Sequence, residues 1–271
     1  MRPFILLLFV FLAGCATPPP VLVTASPLAY PPSVRARILA VLEAEWREWG
    51  GLTLGPGAPV PIMPTLAAPA EALVDNFPRV LAYWRAVPDD EGTIERNRAL
   101  YPLALQGAPS GAQLWRETPW SAAFISYVML RAGVDTREFR PSAAHAFYID
   151  HLLKDAADFP ALAPFFPRAV AEYAPQPGDL VCADRGRFPI THWTQRAEDQ
   201  GRFRPMHCDI VVAMGVGVVE ITGGNIADAV TRRRFPIDAG GMLLPAPEGA
   251  ASWFAVFENR LGRLGPWAPR S

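Results

Sequence analysis

An unbroken apolar run from Phe4 to Leu12 opens the chain; it is shorter than the ~20 residues that a membrane-crossing helix needs. The Pro-rich stretch after it, through residue 30, predicts an extended tether. From Pro32 to Trp49 apolar residues recur at helical spacing (Val34, Ile38, Val41, Leu42, Trp46), with Arg35, Arg37, Glu43 and Glu45 among them. Residues 50–68 are rich in Gly and Pro and read as irregular. A second helical stretch covers 70–85, interrupted near Pro78, and residues 88–112 read as mixed helix and loop. The clearest helix is Pro119 to Ala132: Thr118 suits the N-cap, Pro119 the first helical position and Gly133 the stop. No charge falls between Glu117 and Arg131. A helix apolar on every side belongs at the centre of a core. Another helix is expected from Ser142 to Ala157. After Pro177-Gly178 the pattern turns to strands, at 180–183, 208–213, 216–222, 229–235 and 252–258. Short turns between β runs favour an antiparallel sheet, and helices followed by strands read as α+β.

Composition narrows the function classes. With 51% hydrophobic residues and a net charge of −1, the chain carries no domain-wide basic bias, so nucleic acid is not an expected partner. No second apolar run is long enough to span a bilayer. The segment Leu12-Ala13-Gly14-Cys15, behind Arg2 and the apolar run, resembles the bacterial lipobox. The resemblance implies a signal peptide over residues 1–14, lipid on Cys15 as a membrane anchor, and a lipidated tether over 15–30. Ala16 rather than Asp after the cysteine is the pattern of outer-membrane lipoproteins facing the periplasm. Cys182 and Cys208 are too few for a Cys-rich metal site. Both fall in expected strands, either as a cross-strand disulfide or as two buried thiols. No His/Asp/Glu spacing suggests a metal, and no cofactor is expected.

Candidate chemistry gathers at Ser121, in the first turn of the apolar helix, where unpaired N–H groups and the helix dipole favour developing negative charge. His207 starts the second of the expected strands. Asn225 ends the third, and a hairpin of these strands brings its amide near His207, as an orienting group for the imidazole. Glu117, Trp120 and His145 are further candidates for the cleft, His145 as an alternative base. His192 lies in a loop between strands. Asp209 is expected to point away from the cleft, with pairing to a histidine as the alternative. Arg232-Arg233-Arg234 reads as a solvated strand face, with anionic wall polymers or lipid headgroups as the alternative contact.

These segments together resemble the papain-like bacterial amidase-peptidases of CHAP and NlpC type. Pro119-Trp120-Ser121-Ala122-Ala123-Phe124 is similar to their nucleophile helix and Pro177-Gly178-Asp179-Leu180-Val181 to a strand start. His207-Cys208-Asp209-Ile210 is similar to their catalytic-His strand and Thr222-Gly223-Gly224-Asn225 to the strand end that orients it. Pro-Trp-Ser-Ala-Ala-Phe also resembles an uncharacterised family of bacterial lipoproteins and secreted proteins. The resemblance implies a buried helix on a small antiparallel sheet, over residues 101–271, after an N-terminal helical extension over 31–100. It departs from the group at Ser121, where the nucleophile is cysteine, and at Gly223, where an acidic residue is expected. A thiol can be tuned to ionise near neutral pH, whereas a hydroxyl needs a base to take its proton as it attacks. Three functions follow as expectations: a hydrolase of cell-wall peptide or amide bonds (Ser121 nucleophile, His207 base, Asn225 orienter), an inactive module on the same scaffold that binds a wall peptide or envelope protein, or a purely structural lipoprotein.

Overall fold

A computed structural model of the chain describes residues 27–57, 69–107, 113–245 and 251–264. Cys15, the apolar run before it and the tether through residue 26 lie outside them. Among the described residues no helix is long and apolar enough to cross a membrane.

Among the described residues six α-helices and a seven-stranded sheet make a mixed α+β fold. In chain order the elements are α1 (Ser33–Glu48), β1 (Thr53–Leu54), α2 (Phe77–Trp84) after two 3-10 turns, α3 (Thr93–Leu105), α4 (Ser121–Arg131), α5 (His145–Asp158), β2 (Phe165–Arg168), β3 (Leu180–Asp184), α6 (Trp193–Glu198), β4 (Met206–Gly215), β5 (Val218–Ile226), β6 (Ala229–Pro236) and β7 (Ser252–Asn259). The strands lie in the order β1-β6-β5-β4-β3-β7-β2. Every pairing is antiparallel except that of β1 with β6.

The uncharged stretch is the central helix. Phe124 and Ile125 of α4 are fully buried, and the helix packs on α1, α2, β4 and β5. It starts two residues later than expected, with Trp120 rather than Thr118 as N-cap. Gly133 ends it as its composition predicts: φ is +81°, its N–H reaches Leu130 O, and Val134 N–H reaches Met129 O. That is the glycine-ended helix stop in which only a residue without Cβ takes the left-handed turn freely. α5 also starts late, at His145 instead of Ser142. Ser142 Oγ donates to the Asp89 carboxylate and accepts from Ala144 N–H, which holds the approach to the helix. Pro78 sits in the first turn of α2, so it begins that helix rather than interrupting one.

Val34, Ile38 and Leu42 of α1 join the same buried cluster as Phe124 and Ile125, so the expected helical extension shares its core with the sheet and α4. Along β3, Leu180 and Cys182 enter this larger cluster while Val181 and Ala183 enter a smaller one, so both faces of the strand are covered. β2 was hidden by its Pro167; it is an edge strand, where a missing donor is tolerated.

Cys182 and Cys208 stand directly opposite each other in the β3–β4 register and form a disulfide. They are 26 residues apart, a loop whose closure entropy corresponds to about 3 kcal/mol of stability. The Cys182→Ala/Cys208→Ala double variant is therefore expected to unfold at lower urea with a loss of that order, measured by equilibrium denaturation. An unchanged midpoint would mean that the strands hold this register without the bond.

Candidate active site

α4 and α5 begin side by side, and each presents its first residue to one cleft. Ser121 Oγ and His145 Nε2 are hydrogen-bonded at 2.7 Å. The other ring nitrogen of His145 is hydrogen-bonded to the Tyr148 hydroxyl, one helical turn onward. The N–H groups of Ser121, Ala122 and Ala123 precede the first intrahelical bond of α4, which Phe124 N–H makes to Trp120 O at 2.9 Å. The cleft has a volume of about 320 Å³ and is lined by Ser121 and His145 together with Trp84, Phe147, Arg185 and Phe203.

A second histidine stands next to the first. The rings of His145 and His207 are 5.2 Å apart, centroid to centroid. His207 Nε2 is 3.1 Å from Asp209 Oδ1, and the other oxygen of that carboxylate accepts from Arg233. His207 and Asp209, two apart on β4, share a face of the strand; Cys208 between them turns to its disulfide. Gly223 makes room for this pair: a Cβ there would stand 1.7 Å from Asp209 Oδ1 and 3.3 Å from His207 Nε2.

Residues 72–258 match the model of a family described as "Uncharacterized protein conserved in bacteria (DUF2272)". The chain belongs to this DUF2272 family. No curated protein and no solved structure matches it. The matched span contains Ser121, His145, Tyr148, His207, Asp209 and Arg233, and it leaves α1 outside.

In this DUF2272 chain the side chains of the site are almost wholly buried, which sets their charge states. Burial pushes the His145 imidazole well below the ordinary histidine value, and the charge of His207 pushes the same way. His207 is also lowered by burial, against the pull of Asp209. Burial alone would raise Asp209, but the Arg233 guanidinium and His207 hold it below the usual carboxylate range. Burial raises Tyr148 well above the ordinary phenol value. At neutral pH the site thus holds two neutral imidazoles, a neutral phenol and one carboxylate.

The structure distributes the expected site residues differently from the sequence reading. Ser121 and His145 meet; His207 and Asn225 do not. The Asn225 amide donates to Glu71 Oε2 at 2.8 Å, the same oxygen that accepts from Trp120 Nε1 at 2.7 Å. That buried carboxylate ties the end of β5 to the start of α4 and takes Asn225 from His207. His207, Asp209 and Asn225 do not line the cleft. Trp120 is fully buried and stacks on Trp49, and Glu117 is exposed; neither lines it. Asp209 stays off the cleft and pairs with His207. His192 caps α6 by accepting from Thr194 N–H and lies outside this cleft. The three consecutive arginines are not a free face: Arg232 pairs with Glu43, Arg233 with Asp209 and Arg234 with Glu220. Tyr148 escaped the sequence reading, although its spacing of three from His145 on a helix is a usable signal. Glu71 carries no local signal at all. Among the described residues no group of His, Cys, Asp or Glu is arranged to hold a metal ion.

Proposed function

We propose that this protein is a serine-type hydrolase of amide or ester bonds, with Ser121 as nucleophile, His145 as general base and Tyr148 as the group that orients the base. The reading rests on the 2.7 Å hydrogen bond between Ser121 Oγ and His145 Nε2 on the wall of an open cleft. The working tautomer has Nδ1–H donating to the Tyr148 oxygen and Nε2 free to accept the serine proton. Ser121 Oγ attacks the carbonyl carbon as His145 Nε2 takes its proton. The oxyanion lies near the unpaired N–H groups at the start of α4. His145 then protonates the leaving nitrogen or oxygen, and the acyl group remains on Ser121. A water molecule, deprotonated by the same imidazole, releases it as a carboxylic acid. The Asp209 charge favours the imidazolium that forms on the way.

The architecture, an α-helix starting with the nucleophile on a mainly antiparallel sheet, supports a papain-like origin. In that reading His207 stands where the base belongs, but its Nε2 is turned to Asp209, and α5 supplies the working imidazole. With a lipid anchor on Cys15 facing the periplasm, the substrate class is a cell-wall peptide or a related amide. Trp84, residues 89–91 and residues 203–206 line the cleft without filling it.

Peptidoglycan digestion read by mass spectrometry, with wild type, Ser121→Ala and Ser121→Cys side by side, tests the reading. Wild type is expected to release fragments, and Ser121→Ala to release them about a thousandfold more slowly or less. A second reading is an inactive module that binds the same ligand. It is favoured by one observation: His145 Nδ1 faces a phenol and not a carboxylate, so no charge touches the imidazolium. Silence from wild type with release by Ser121→Cys would decide for that reading.

A further inference from the structure

Arg185 follows the last residue of β3 and lines the same cleft as Ser121 and His145. Its backbone is pinned: Arg185 N–H donates to Pro205 O at 2.8 Å. Its guanidinium, however, has no hydrogen bond or ion pair to any described residue. The other arginine on the cleft wall, Arg204, is committed to Asp184 at 2.7 Å and Asp199 at 3.3 Å. The residue is exposed, so its guanidinium is open to a ligand, and the Asp209 and Arg233 charges act on it in opposite senses. An arginine without a partner in the protein keeps its planar fork of donors for an acceptor such as a carboxylate. The cleft is also lined by Asp89, Asp90 and Glu91. Asp89 accepts from Ser142 and Ala143, and Asp90 from the Ile94 N–H, so both side chains are held in place. Their charge disfavours an anion beside them, which leaves Arg185 as its partner in the cleft. Trp84, Phe147 and Phe203 offer apolar wall.

We infer that Arg185 is a specificity residue that binds a free carboxylate on the substrate, so that the cleft selects acyl or peptide chains bearing a carboxylate beyond the bond presented to Ser121. The inference deepens the hydrolase reading of this site, but the binding it describes does not require turnover.

The test is therefore done on the full chain carrying Ser121→Ala, which cannot acylate. Glutaric acid monoanilide is the anionic probe, and its primary amide, in which the carboxylate becomes CONH2, is the neutral isostere. Affinities are read by NMR shift titration. The acid is expected to bind about tenfold tighter than the amide, the strength of one charge-assisted contact. Arg185→Gln is expected to erase the difference by weakening the acid alone, and Arg185→Lys to retain part of it. Added salt should shrink the preference. Equal affinities, a preference that survives Arg185→Gln, or no binding of the acid at millimolar concentration would each overturn the inference. The hydrolase reading fails separately, if wild type with Ser121 intact turns over no amide or ester.

Discussion

His145→Gln is expected to lower kcat/KM by about 10²–10⁴, the range that a positioned general base contributes, on whichever substrate Ser121 attacks. The physical reason is specific to the pair. The serine hydroxyl is not ionised at working pH, so its proton must leave as the bond to carbon forms, and His145 Nε2 at 2.7 Å is the acceptor in contact. Glutamine keeps a polar side chain of similar reach and removes the basicity. His207→Gln is expected to cost less than His145→Gln, because His207 Nε2 is turned to Asp209 and the residue lies off the cleft wall. The opposite ranking would return the base to β4, the place that the sequence resemblance implies. The pH profile carries an independent sign. A base works when neutral, and burial holds His145 below its ordinary value of 6.5. Activity should therefore persist as pH falls past 6.5 and fail only below it. An acid limb centred at or above pH 6.5 would mean that another group accepts the proton.

The second large effect concerns stability. Gly223→Ala places a carbon 1.7 Å from Asp209 Oδ1, a separation that no pair of atoms tolerates. Either the carboxylate leaves its contacts with His207 and Arg233 or β5 moves away from β4. Overpacking of this kind in a tight interior costs about 2–4 kcal/mol. Asp209→Ala is expected to cost about 3 kcal/mol on its own, because it strips a buried charge network of its anion. The two losses should not add. Without the carboxylate the new methyl group has room, so the double variant should be less destabilised than the sum by 1 kcal/mol or more, roughly the scale of coupling between touching residues. Urea denaturation of the four proteins measures this. Strict additivity would show that the glycine serves the backbone of β5 and not the carboxylate beside it.

The two variants bear on how the site departs from the pattern it resembles. The third member of the group's triad is expected on β5, and glycine stands there. The structure gives the space above that glycine to Asp209, which reaches His207 from two residues further along the same strand. The acidic partner of His207 is thus supplied from β4, and Asn225, next in line for the role, is taken by Glu71.

The sequence by itself determined the elements whose signal is local. Periodicity with no charge between Glu117 and Arg131 identified the buried helix, Gly133 its end, and Ser121 its first turn. Alternation and short turns identified β3 to β7 and the α+β class. The tertiary structure decided which polar groups meet. Whether Ser121 would find His207 or His145 depends on where the start of α5 lies against the start of α4, and the intervening chain carries no pattern that sets this. That Asp209 faces inward depends on the absence of a side chain at Gly223, on a neighbouring strand. The capture of Asn225 depends on Glu71, 154 residues away. Such choices turn on distances of an ångström between segments far apart in the chain. Hydrophobic pattern constrains which faces are buried, but not which of several buried hydrogen-bonding partners each polar group takes.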